Sequence, residues 1–152
     1  MNNQSGRSLI EVIGVMAIAG MMTVGAVATY RAIRSNQIRT IASQELKQIA
    51  ENTKILMEMR GSYEGVSVDY LVKAGVLKTM NAPIGGNGWS VASSIDGASF
   101  LINLVDLTNG ECEYFVAANP NWAVKILVNG IETNSSGNCF GTNTNQVSFV
   151  VQ

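Results

Sequence analysis

The chain has 152 residues, a formal net charge of −1 and charged side chains at 14% of positions. That leaves room for one compact domain plus a tail, and it supplies no basic field of the kind that neutralises nucleic-acid phosphates. There is no histidine, which removes the commonest general base, the commonest metal ligand and every Ser-His or Cys-His nucleophile, so catalysis is disfavoured and no cofactor or metal is expected.

Residues 1–6 carry no charged side chain; Arg7 is the first charge and Glu11 follows it closely. Residues 12–30, VIGVMAIAGMMTVGAVATY, are free of charge. As a helix rising 1.5 Å per residue this run of about nineteen crosses most of a bilayer core of roughly 30 Å, so a membrane span is predicted. A cleaved secretory signal would instead show a positive leader and a shorter apolar stretch ending in a small-x-small site; Ala26-Val27-Ala28 mimics that site, but the uncharged leader argues against it. Glu11 has two readings. It is either a solvated anion favoured by the dipole at a helix N-terminus, or a charge paired with a cation from another subunit. Gly14, Gly20 and Gly25 permit close backbone approach, though no two are spaced as in the two-helix dimer motif.

No proline occurs before Pro83, so the helix is expected to continue past the span, over residues 8–60, with Gly61 as its C-cap. At about 100° per residue Ile38, Ile41, Ala42, Leu46, Ile49, Thr53, Leu56 and Met57 fall in one broad stripe, with Lys47, Glu51, Lys54 and Glu58 opposite. This is an amphipathic helix whose four-apart charge pairs mark a solvated face. A short helix is predicted over 70–77, and the glycine-rich residues 81–88 make a turn, with no lysine placed for a phosphate loop. Residues 89–95, 99–105, 124–128 and 146–151 have strand composition and make a plausible antiparallel sheet, while 109–118 can form a helix carrying Cys112. Cys112 at a helix N-terminus could be a stabilised thiolate, yet no Cys-x-x-Cys pair exists. In the exported setting that the span implies, a structural Cys112–Cys139 disulfide is the better expectation. Asn134-Ser135-Ser136 fits a glycosylation acceptor, with a plain polar loop as the default. Asp96, Asp106, Glu111, Glu113 and Glu132 are scattered and nothing pairs them at catalytic spacing.

Gly6-Arg7-Ser8-Leu9-Ile10-Glu11-Val12-Ile13, followed by the apolar run, resembles the prepilin-peptidase recognition motif of type IV pilins and pseudopilins. The resemblance implies cleavage after Gly6, methylation of the new amine on Arg7, and a role for Glu11 in neutralising the N-terminal amine of a neighbouring subunit as the filament grows. Arginine is a departure here, since the first mature residue is usually apolar. The order of Asn81-Ala82-Pro83-Ile84-Gly85-Gly86, Phe100-Leu101-Ile102-Asn103-Leu104-Val105-Asp106-Leu107, Cys112, Val128-Asn129-Gly130 and Cys139 resembles the type IVb group, which includes the bundle-forming and conjugative PilS-like pilins.

The expected architecture is α+β. A leader occupies 1–6, a transmembrane and filament-core helix 7–30, and a head with a small antiparallel sheet 31–152, including the amphipathic half of the long helix. The expected function is that of a structural subunit that self-associates into a helical filament for adhesion, aggregation or conjugation; the alternative is a minor pilin or pseudopilin of a type II secretion or DNA-uptake system. The partners implied by the resemblance are a prepilin peptidase, an inner-membrane platform protein, an assembly ATPase and an outer-membrane secretin. The precursor would reside in a bacterial inner membrane and the product on the cell surface.

Overall fold

The computed structural model describes residues 9–83, 88–133 and 138–152, with the backbone alone for 31–36. Helix α1 is Leu9–Glu58. Two compact units divide the chain between Ile38 and Arg39. Within the described residues the first unit is helix throughout, and the second carries everything else. The C-terminus of α1 closes as its sequence dictates. The Arg60 N–H donates to the Met57 carbonyl (2.9 Å) and the Gly61 N–H to that of Glu58 (3.1 Å), and Gly61 takes the left-handed conformation at φ 75° that a side chain would resist.

The second unit is a five-stranded antiparallel sheet with one face covered by helix. The strands are β1 (Gly88–Ser93), β2 (Phe100–Leu107), β3 (Lys125–Val128), β4 (Ile131–Glu132) and β5 (Asn145–Val151), in spatial order β1-β2-β5-β3-β4. Strand β5 pairs antiparallel with both β2 and β3. Those two therefore run parallel to one another and are joined by a crossover through α3 (Asn109–Ala118). Alternate residues of β2 (Phe100, Ile102, Leu104) and of β5 (Val147, Phe149, Val151) are buried in one cluster with Ala42, Leu46, Ile49, Ala50 and Met57 of α1. The alternation in β2 slips where its register against β5 shifts between Leu104 and Leu107, with Asp106 at φ 56°. That slip returns Leu107 to the interior and sets Thr108 as the N-cap of α3. The Thr108 hydroxyl accepts from the Glu111 N–H (3.2 Å) and the Glu111 carboxylate from the Thr108 N–H (2.9 Å), a reciprocal capping box.

The structure departs from sequence expectation in three places. Ile38 and Ile41, placed by periodicity on the buried stripe, are 43% and 52% exposed. Within the second unit the sheet covers a narrower arc of α1 than the apolar periodicity spans, and exposed Ile55 lies with Ile41 on the uncovered face. Helix α2 is Val68–Lys73, earlier than predicted. The Ser67 hydroxyl caps it by accepting from the Tyr70 N–H (3.1 Å), and Gly75 at φ 81° follows its end. Strand β4 was not foreseen, although Asn129-Gly130, both at positive φ, is the two-residue hairpin signal that announces it. The predicted turn at 81–88 lies partly outside the described residues.

Candidate functional site

The first element of interest is the N-terminal part of α1. Residues Leu9–Tyr30 form a helix long and apolar enough to cross a membrane, and none of it is buried within the chain. Its two threonines satisfy their hydroxyls locally: Thr23 donates to the Ala19 carbonyl (2.8 Å) and Thr29 to the Gly25 carbonyl (2.9 Å). Neither hydroxyl therefore needs water, which suits a helix meant for lipid or for other apolar helices. Glu11 lies in the first turn of α1 with its side chain exposed, where the helix dipole favours an anion. Gly6 and Arg7 lie outside the described residues, as does Asn134-Ser135-Ser136.

The second element is the segment that closes the head between β4 and β5. Cys112 in the first half of α3 is joined to Cys139, with Cα atoms 5.9 Å apart and Cys112 fully buried, so the expected disulfide is present. Beside it sits a feature that sequence reasoning missed. Asn145, the first residue of β5, is buried, and its Nδ2 donates to the carbonyls of Phe140 (2.8 Å), Thr142 (2.9 Å) and Leu107 (3.3 Å). Its Oδ1 accepts from the Phe140 N–H (2.7 Å) and from Asn129 Nδ2 (3.1 Å). Asn129 extends the clamp: its Nδ2 also donates to the Asn138 carbonyl (2.8 Å) and its Oδ1 accepts from the Gln146 N–H (2.9 Å). A covalent bond and a buried amide network thus hold the same loop against α3 and β2. In the sequence, four asparagines among polar residues read only as loop.

Of the five acidic residues singled out in the sequence of the head, four have local structural partners. Glu111 closes the capping box, Glu113 accepts from Asn109 (3.1 Å), and Glu132 pairs with Lys125 across β3 and β4 (3.2 Å). Asp96 accepts from the Ser94 hydroxyl and from the Ala98 N–H in the β1–β2 turn; these bonds, the hydroxyl first, hold its carboxyl below the usual carboxylate range. Asp106 sits at the β2 irregularity. Among the described residues no three His, Cys, Asp or Glu side chains gather as a metal site.

No family model and no curated protein matches the sequence. Among solved structures, the chain is similar to the crystal structure of TcpA, a type IV pilin from Vibrio cholerae El Tor biotype. The TM-score is 0.62 at 17% identity, covering 76% of this chain and 99% of that one. A long apolar N-terminal helix, a small antiparallel sheet and a disulfide-closed C-terminal segment together make this the type IV pilin fold.

Proposed function

We propose that this chain is the precursor of a structural subunit of a type IV pilus, of the IVb-like kind, that polymerises into an extracellular filament. The observation that carries the reading is the pairing, in one chain, of a wholly uncovered apolar helix over Leu9–Tyr30 with a head of type IV pilin fold. A helix of that composition needs lipid or other apolar helices around it, and a filament supplies the second after the membrane has supplied the first. In this reading the prepilin peptidase cuts after Gly6, Arg7 becomes the N-terminus and the site of any methylation, and Glu11 pairs with the amine of a neighbouring subunit. The platform protein, assembly ATPase and secretin act on the processed chain, which moves from the inner membrane to the cell surface.

The test is the intact mass and N-terminal sequence of the protein in sheared surface material, beside the membrane fraction. Abundant surface protein beginning at Arg7 supports the polymer. The same processed chain confined to the membrane moves the reading to a minor pilin or pseudopilin, and a chain beginning after Ala28, or a surface form retaining Met1, overturns it.

A further inference from the structure

One end of the head carries an apolar knob. Ile95, in the turn between β1 and β2, is fully exposed, and the turn around it is stiff. The Ser94 N–H donates to the Ser99 carbonyl (2.9 Å), the Gly97 N–H to the Ser94 carbonyl (3.1 Å), and the Asp96 carboxylate takes both the Ser94 hydroxyl and the Ala98 N–H. A lone exposed isoleucine is ordinary on a protein surface, but the fixed backbone of this one lowers the entropy cost of any contact it makes.

The other end carries a cleft between α1 and α3 with a volume of about 320 Å³. Buried Phe149 lies beneath it, half-buried Tyr114 and Trp122 line it, and Ser43, Lys47 and Ala118 stand at its rim. The volume is at the small end of ligand cavities, and the floor is aromatic, with Thr40, Ser43, Gln44, Lys47 and Asn121 also in the lining. It suits the apolar tip of a loop. Lys47 is held only loosely, 3.8 Å from Glu51 with both side chains half exposed.

Knob and cleft lie far apart along the head. The knob's turn packs on the residues just after α1, the Tyr63 N–H donating to the Gly97 carbonyl (3.0 Å). Ser43 and Lys47 lie three to four turns before the end of α1 at Glu58, so the two features are separated by roughly 15 to 25 Å along the helix axis at 1.5 Å per residue. A projecting side chain and a distant hollow on the same molecule define a heterologous contact, which joins copies head to tail and builds an open filament wherever the rotation between copies does not close a ring.

We propose that Ile95 of one copy seats in the α1–α3 cleft of a second copy, with Asp96 beside Lys47, and that this contact links successive heads along the filament. The occupant is a second copy because the charges match: the tip carries the exposed Asp96 carboxylate and the cleft rim the half-exposed Lys47, whose 3.8 Å pairing with Glu51 is loose enough to be exchanged. The proposal rests on the polymer reading above, and it specifies which surfaces of the head meet.

The test pairs Ile95→Cys with Ala118→Cys in the full chain, with filaments sheared from cells, oxidised and separated without reductant. The double variant is expected to give covalent dimers and a ladder of higher oligomers that collapse on reduction, and each single variant none. A second measurement compares Ile95→Asp with Ile131→Asp, the latter an equally apolar exposed position on β4. Ile95→Asp should lose surface filaments while Ile131→Asp keeps them, both retaining the Cys112–Cys139 bond as evidence of a folded head. Normal filaments in the Ile95→Asp strain, or filaments of the double cysteine variant that give no ladder, overturn the contact and leave the polymer reading standing. Absence of the unaltered protein from sheared material removes the polymer reading and this contact with it.

Discussion

Replacing Asn145 by alanine tests whether the buried amide, rather than the disulfide alone, holds the closing loop of the head. Two amide hydrogens serve the three carbonyls of Phe140, Thr142 and Leu107, while the amide oxygen takes the Phe140 N–H and the Asn129 amide. After truncation the partners have unequal fates. Phe140 and Thr142 are exposed residues whose carbonyls can turn to water, and Asn129 keeps its bond to the Asn138 carbonyl. The Phe140 N–H and the Leu107 carbonyl are left facing the vacated site. Two such orphaned groups at about 1 to 2 kcal/mol each give a loss of about 2 to 4 kcal/mol, a large share of the roughly 5 to 15 kcal/mol that holds a typical domain together. The assay is guanidinium unfolding of the full chain in detergent, followed by the fluorescence of Trp89 and Trp122, with an unchanged denaturant slope as the check that the midpoint reports stability. Asn145→Asp is the companion variant. It keeps the shape but offers no N–H to three converging carbonyls, so it should cost at least as much near neutral pH. A loss below about 1 kcal/mol in both variants would refute the reasoning, because it would mean that solvent already reaches the site and the bonds are exchangeable.

Three further outcomes follow from the same structure. Removing the disulfide as Cys112→Ala with Cys139→Ser frees a loop spanning 27 residues, and the loop-entropy relation puts the loss at about 3 to 4 kcal/mol, read as a fall in the unfolding midpoint that reduction of the unaltered protein should reproduce. Thr53 is fully buried on α1 and its hydroxyl is without a hydrogen-bond partner among the described residues; Thr53→Val, nearly the same shape, should raise stability by about 1 kcal/mol, and a loss instead would show that the hydroxyl is satisfied in solution. Burial, and then the charge of Glu58, push the Tyr63 phenol above its ordinary value. The folded state therefore favours the neutral phenol, a contribution complete below about pH 10 and lost as the pH rises through the folded value. Tyr63→Phe should flatten the decline in stability above that pH, and identical alkaline profiles for both proteins would refute the assignment.

What the sequence made legible and what it hid divide along physical lines. The uncharged run over residues 12–30, the missing proline and Gly61 after Arg60 fix α1 because they are local signals read along one chain segment. Beta-branched and aromatic composition located four strands to within about two residues, an error expected where the hydrogen-bond ladder rather than the side chains decides the end. The exposure of Ile38 and Ile41 was not legible, since periodicity says which residues share a face but not how wide an arc will be covered. Asn145 was hidden for a related reason. Its partners at Leu107 and Asn129 are adjacent only after β5 has entered between β2 and β3, and no spacing along the chain encodes that insertion.

The polymer reading also places a demand on the head that the apolar helix cannot meet. Between Leu9 and Tyr30 the only charged side chain is Glu11, so sliding one such helix past another by a turn of about 5.4 Å exchanges apolar contacts for others of much the same worth. Dispersion and burial hold the helices together without fixing their offset. A Glu11 carboxylate moved from about 4 to about 9 Å from a partner cation gives up about 2 kcal/mol at an effective dielectric near 20, enough to favour one offset over its neighbours about thirtyfold at each contact. That preference acts at one end of a helix whose other end carries the head, and a long filament repeats every small error. A second, shape-specific contact between heads is therefore needed to make the offset the same at every step. The proposed contact between the turn bearing Ile95 and the cleft beside Lys47 would meet that demand, because a knob in a hollow tolerates a slide of one turn far less than apolar helices do.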